Sequence, residues 1–277
     1  MGSTTVTPEL ETQMDALVSG RGYAVPPGLR LLLVRGADAR RWLGDLITAD
    51  VAGMDVGASR RSLILTPTGR IRVDVQAIAT EDGFVLAQDA DQEEWVGDVL
   101  APYVLSSAVE LVEVTDERAV VLLEPGRFVS VEADRLAAME GAFADEGRTR
   151  VGADALEVLR VRRGAPRIGV DVVVGALPAG SRLDETIDTT KGCFLGQEAV
   201  AKVRNLGHPP TASLHLRAAG VLVAGDTVHT PGDVAGVVTS AVPAHGGGSV
   251  LLARVDWDAV QGELSTADGT PLEPIAD

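Results

Sequence analysis

The sequence predicts an α+β region followed by a small β-barrel or sandwich. Two patterns carry that expectation. Between residues 29 and 123, strand-like segments alternate with isolated helical ones. From Leu214 onward, short β segments are cut by turns at Gly220, Gly225-Asp226, Pro231-Gly232-Asp233 and Gly236. The 277 residues are ample for more than one domain, and 45% hydrophobic with 23% charged residues is the balance of a folded chain despite 31 glycines.

Residues 29–34 read as a buried strand, and Gly36-Ala37-Asp38 opens a helical run over 39–47 in which Trp42, Leu43, Leu46 and Ile47 fall near helical spacing. Residues 62–65 and 71–79 flank the turn Thr66-Pro67-Thr68-Gly69 as a β-hairpin, and a strand over 84–88 follows Glu81-Asp82-Gly83. A helix is expected over 91–100, then two strands over 110–114 and 119–123. Ala, Glu, Asp and Gly dominate residues 132–150, which predicts a polar helix and a loose connection. There is no internal repeat, and Gly246-Gly247-Gly248-Ser249 after His245 is only a short flexible turn.

Lys and Arg number 24 against 40 Asp and Glu, a net charge of -16, so nucleic acid is not expected as a direct partner. Aromatic residues at 3% argue against a stacking platform for carbohydrate or single strands. No apolar run approaches the ~18 residues of a membrane span, and residues 1–20 have neither a basic start nor an apolar core. No membrane association and a cytoplasmic location are therefore expected. A lone cysteine, Cys193, excludes an internal disulfide and a cluster or metal held by several thiolates, and His208, His215, His229 and His245 lack metal-ligand spacing. No metal site is expected.

Half of the 24 basic residues fall in three short stretches. These are residues 60–72 (Arg60, Arg61, Arg70, Arg72), 158–170 (Arg160, Arg162, Arg163, Arg167) and 191–217 (Lys191, Lys202, Arg204, Arg217). If they converge, they make a positive cleft in a negative protein, suited to a small carboxylate or phosphate ligand. Each stretch alone also fits solvated arginines that guard strand edges.

The most distinctive segment is Lys191-Gly192-Cys193-Phe194-Leu195-Gly196-Gln197-Glu198, with a helix expected to start near Gly196. Cys193 then precedes a helix N-terminus and lies two positions from an ammonium group, and both effects stabilise a thiolate. Glycines on either side leave room for a ligand to approach the backbone. Taken alone, Cys193 also fits a buried structural thiol, and Glu198 fits a first-turn acid paired with Lys202. Dinucleotide, P-loop, nucleophile-elbow and zinc-protease motifs are absent, which lowers the case for those enzyme classes.

Residues 191–198 match the Lys-Gly-Cys-[Tyr/Phe]-x-Gly-Gln-Glu signature of the YgfZ family of folate-binding proteins, relatives of the glycine-cleavage T-protein, an aminomethyltransferase. Residues 29–50, with Gly36-Ala37-Asp38-Ala39 and Thr48-Ala49-Asp50, and the turn Leu65-Thr66-Pro67-Thr68-Gly69-Arg70 resemble the family's first strand, helix and hairpin. Residues 160–169, with Gly164, Pro166 and Gly169, are similar to the segment before the signature. The tail, with Gly225-Asp226, Gly232 and residues 236–240, looks like the T-protein's last barrel.

The resemblance implies a T-protein-like fold of three domains around a central cleft. A folate-binding α+β region of two interwoven subdomains would span 25–205, and a C-terminal β-barrel 210–277. It implies tetrahydrofolate or a one-carbon derivative as cofactor, and iron-sulfur client proteins as partners, with an effect on tRNA modification through them. Cys193 would be the reactive thiol and Lys191 its tuner, with Gly192 and Gly196 shaping the loop. Gln197 and Glu198 would face the pterin or the thiol, while Arg204 or members of the 60–72 stretch such as Arg70 and Arg72 would meet the folate tail, whose carboxylates suit arginine, and Asp74 and Arg162 are counted with the cofactor-binding residues. T-proteins have a glutamate where this chain has Arg162, and of their paired hairpin aspartates only Asp74 has a match here. The half-lost aspartate pair and the Lys-Gly-Cys signature, which T-proteins lack, both point to the YgfZ branch. The rival functions are a folate-dependent one-carbon transferase, such as an aminomethyltransferase or N-demethylase using Asp74, and a non-catalytic scaffold without folate.

Overall fold

The computed structural model describes residues 6–276, and the elements given are those of these residues. The first five residues of the N-terminal stretch, and Asp277 of the expected barrel domain, lie outside them. By contact the chain forms two compact units. One holds Glu9–Ala153 and Glu185–Gln197, and the other holds Asp154–Asp184 and the chain from Glu198 on. Residues 154–184 thus group with the barrel and not with the region before them.

The first unit runs α1 (Pro8–Val18), β1 (Gly22–Tyr23), β2 (Leu29–Arg35), α2 (Ala39–Gly44), β3 (Ser59–Leu65), β4 (Ile71–Thr80) and β5 (Gly83–Asp89). It continues with α3 (Val96–Leu100), β6 (Glu110–Glu113), β7 (Arg118–Glu124), β8 (Arg127–Glu132), α4 (Ala133–Asp145) and β9 (Thr149–Arg150). Five strands form an antiparallel sheet in the order β3-β4-β5-β2-β6. In β4 the period-two pattern is explicit. Ile71, Val73, Val75 and Ala77 are buried, while Arg72, Asp74 and Gln76 take the other face. The buried face packs Ile64, Val73, Val75, Phe84 and Leu86 against Trp42, Leu43 and Ile47, and against Val96, Val99 and Leu100 of α3. A second cluster joins Leu31, Leu33, Ile78, Val85 and Ala87 to Val120 and Phe128 of the β7–β8 hairpin.

The second unit contains all but the first residue of α5 (Ala153–Arg162) and of α6 (Gln197–Leu206), and the strands β10 (Thr211–Ala218), β11 (Thr227–Thr230), β12 (Asp233–Pro243), β13 (Ser249–Asp256), β14 (Leu264–Ser265) and β15 (Pro271–Pro274). These strands close into a barrel in the order β10-β13-β12-β11-β14-β15 around Leu216, Val228, Val238, Leu251 and Val255. The expected combination of an α+β region and a C-terminal barrel is therefore what the chain forms. Closure brings β12 so near β13 at Gly236 that a Cβ there would lie 2.3 Å from the Arg254 carbonyl oxygen. Only glycine fits that approach.

Several elements differ from the expectation. The helix expected over 39–47 stops at Gly44, and Ile47 instead bridges to Ile64. The helix expected over 91–100 is confined to Val96–Leu100, because Gln92 and Glu94 are drawn onto β4 by hydrogen bonds to the Asp74 backbone and to Arg72. The connection expected to be loose near 150 is ordered. Thr149 and Arg150 pair in parallel with Gly22 and Tyr23. Besides the paired β1 and β9, three elements were not expected: α1, which buries Met14, Ala16 and Leu17; β8; and α5, which buries Ala155, Val158 and Val161 and carries Arg160 and Arg162 in its last turn. No helix among the described residues is long and apolar enough to cross a membrane. None of their His, Cys, Asp and Glu residues gather in threes to hold a metal.

Candidate functional site

The signature loop is built on the turn that leaves α2. Because α2 ends at Gly44, the carbonyls that follow have no helical partners and must find donors elsewhere. Residues 186–195 provide them. Lys191 Nζ donates to the carbonyls of Gly44 (2.6 Å), Ile47 (2.7 Å) and Ala49 (2.9 Å). The amide of Asp188 donates to Thr48 O and that of Leu195 to Asp45 O, each at 3.0 Å. The buried Thr48 hydroxyl donates to Thr186 O at 2.7 Å.

The loop's own turn is set by Asp188. Its Oδ1 accepts from the Thr190 amide (2.8 Å), the Thr190 hydroxyl (2.7 Å) and the Lys191 amide (3.1 Å). Those bonds, the Thr190 hydroxyl first, hold the Asp188 carboxyl below the usual carboxylate range. Phe194 is buried, and the Lys191 ammonium lies 5.4 Å from its ring centroid. At Gly196, φ is +84° and a Cβ would meet Thr66 O at 2.6 Å, so this residue lets the loop close onto the β3–β4 turn. The tip between these anchors, Gly192-Cys193, is exposed, and Cys193 is a free thiol. The buried-thiol alternative is thereby excluded.

The ammonium of Lys191, expected as the tuner of the thiol, is directed at backbone carbonyls. Burial pulls its pKa below the usual lysine value, against the attraction of Asp50, Asp188 and Asp45.

Next to the loop, a polar cavity of about 560 Å³ is lined by Ser59, Arg60 and Arg61 at the start of β3, with Asp50, Glu185 and Asp188. Arg61 is not a simple anion ligand. Its Nε reaches both Asp74 oxygens (3.0 and 3.1 Å), and its Nη2 donates to Oδ2 at 2.6 Å. Burial opposes the Arg61 charge, and Asp74 more than restores it. The register explains the pair. Arg61 stands opposite Gln76, so Asp74 is its diagonal neighbour on the same face.

The structure brings together Lys191, Gly192, Cys193 and Gly196 in one loop that packs on the hairpin turn leading to Arg70. Asp74 and Arg72 lie on the hairpin itself with their charges matched. Arg72 donates to Glu94 from Nε at 2.9 Å and from Nη2, bonds that hold the Glu94 carboxyl below its usual range. Gln197 is half-buried at the start of α6. Glu198, Arg204 and Arg162 belong to the other unit, where Arg162 donates to Pro243 O (3.0 Å from Nη2). Sequence reasoning missed Glu185 and Asp188 as cavity residues and the carbonyls of residues 44–49 as anchors. Asp188-Thr189-Thr190 does carry a readable signal, an aspartate able to bond the amide two residues on.

No protein-family model matches the chain, and no curated protein does. Among solved structures it is similar to the glycine cleavage system aminomethyltransferase T from Bartonella henselae, with a TM-score of 0.78 at 18% identity over 96% of this chain and 88% of that one. The fold is T-protein-like, and at this identity the likeness is one of fold.

Proposed function

We propose that this chain is a cytoplasmic protein that binds tetrahydrofolate or a one-carbon derivative and, through Cys193, supports the assembly or repair of iron-sulfur proteins, and through them tRNA modification. The observation that carries the reading is the exposed Cys193 at the tip of a loop anchored on both sides, within a T-protein-like fold. The loop has the residues of the YgfZ signature at all eight positions.

The residues present fit a folate. A cavity of about 560 Å³ is of the size that small-molecule sites take, and it offers guanidinium donors and carboxylate acceptors side by side. Arg60 would hold a tail carboxylate, and Glu185 or Asp188 would accept ring N–H groups. Gly192 and Gly196 would shape the loop, Gln197 would face the pterin or the thiol, and Arg70 would supply further charge for the tail, whereas Arg72 is already paired with Glu94. Bound folate would supply a carrier for one-carbon groups. The chain itself would present the Cys193 sulfur to a client protein.

A folate-dependent aminomethyltransferase or N-demethylase is the rival reading. It needs Asp74 as an acid or base, and both Asp74 oxygens already accept from Arg61. That pairing favours the thiol reading. The test is complementation of a strain lacking the protein, read as the activity of its iron-sulfur enzymes. Wild type is expected to restore it, and Cys193→Ala to fail while remaining folded. Full restoration by Cys193→Ala would remove the thiol from the account, and loss with Asp74→Asn alone would favour the transferase.

A further inference from the structure

An ammonium group has three hydrogens and no other donor. In this chain all three Lys191 hydrogens have carbonyl acceptors, at Gly44, Ile47 and Ala49, within 2.6 to 2.9 Å. The acceptors come from the end of α2 and the turn behind it, where carbonyls lack helical partners and the helix end favours a cation. The same turn receives the amides of Asp188 and Leu195, one on each side of Cys193. Charged groups around the ammonium are Asp45, Asp50 and Asp188, and the Phe194 ring covers one side.

We propose that Lys191 is a positioning residue, whose ammonium fastens the Cys193 loop to the α2 exit turn as a three-way brace and holds the thiol at an exposed tip. The function of that brace rests on the reading of Cys193 as the reacting group, but its geometry does not. A tetrahedral ammonium satisfies three acceptors converging from different directions. A guanidinium carries the same charge in a flat fork and cannot reproduce that arrangement. Charge and geometry are therefore separable by mutation. An electrostatic tuner would be replaced by arginine, and a brace would not.

The experiment uses the full chain with no folate and no client. Cys193, the chain's lone thiol, is labelled with a trifluoromethyl reagent in wild type, Lys191→Met and Lys191→Arg, and fluorine spectra are compared at neutral pH. Unlabelled protein is alkylated with iodoacetamide across pH to give the thiol's midpoint. Both variants are expected to shift the fluorine resonance away from wild type. Amide exchange over residues 188–196 should accelerate by about tenfold or more while the β3–β5 sheet keeps its protection. The alkylation midpoint should not follow the charge carried at residue 191. A wild-type fluorine spectrum in Lys191→Met would reduce Lys191 to a packing residue and overturn the proposal. A wild-type spectrum in Lys191→Arg, or a midpoint raised by about one unit in Lys191→Met and restored in Lys191→Arg, would make it a charge tuner instead. Should Lys191→Met not fold, Lys191→Arg alone decides between brace and charge. None of these readouts depends on folate binding, so failure of the functional reading would leave them intact.

Discussion

Two partly buried cations, one in each unit, are held in opposite ways. Lys191 donates all its hydrogen bonds to neutral carbonyls and meets the carboxylates of Asp45, Asp50 and Asp188 only through their fields. Arg160 is held by carboxylates. It donates to Asp171 Oδ2 at 2.6 Å, to both Glu157 oxygens (2.9 and 2.7 Å) and to the Ser240 hydroxyl. Asp171 is 1% exposed and also accepts from Thr239 and Ser240, at 2.7 Å each. A β-bulge between Val238 and Ser240 lets these consecutive hydroxyls reach the same carboxylate. The Arg160 network joins α5, the loop after it and β12; Arg167, whose amide donates to Asp171 Oδ2 at 2.9 Å and whose guanidinium lies 4.0 Å from Glu157, brings a second positive charge to its two carboxylates. The Lys191 brace carries a free thiol at its tip. The contrast teaches that a basic stretch read from sequence does not announce its role. Arg160 and Arg162 of residues 158–170 bond to Asp171 and to Pro243 O within their own unit, whereas residues 191–198 frame a candidate site.

The comparison breaks most decisively at Asp171. Asp171→Ala removes the buried carboxylate that Arg160, Thr239 and Ser240 share, and chemical denaturation should show a loss of about 3–5 kcal/mol. A loss below about 1 kcal/mol would mean that water replaces the carboxylate and that the network is not structural. On the loop side, Gly196→Ala forces a positive φ on alanine and a Cβ against Thr66 O, for an expected cost of about 2–4 kcal/mol in the same assay.

A smaller effect separates the two cations by pH. Burial raises the Glu157 carboxyl, but the Arg160 hydrogen bond and charge more than reverse it, so its folded pKa lies below the usual value. The stability it contributes is present above the unfolded carboxyl's pKa and is lost as pH falls through the folded one. Thermal melts between neutral and acidic pH should therefore fall more steeply in wild type than in Glu157→Gln, by a margin reduced because Glu157 is 40% exposed. The smallest change is expected at Cys193→Ala, within about 0.5 kcal/mol of wild type, because the side chain is exposed and makes no anchoring bond.

Much of this was legible in the sequence. The alternation in residues 71–79 and the turn Thr66-Pro67-Thr68-Gly69 predicted the hairpin, and the turn spacing after Leu214 predicted the barrel strands. The octapeptide marked the loop, and the helix begins at Gln197, next to the expected Gly196. What could not be read was long-range partnership. Arg61 and Asp74 are 13 residues apart, and only the strand register makes them neighbours. Lys191 meets carbonyls some 140 residues earlier, and backbone acceptors leave no trace in side-chain identity. Residues 91–95 have a helix-compatible composition, yet Gln92 and Glu94 gain more by bonding to β4 than by continuing a helix.

A folate site with a separate reactive thiol is tested by calorimetric titration of tetrahydrofolate into wild type and Cys193→Ala. Saturable binding with equal affinity is expected in both, the pocket and the thiol being independent. No binding to the folded wild-type protein would contradict that expectation and leave the chain a scaffold with a T-protein-like fold.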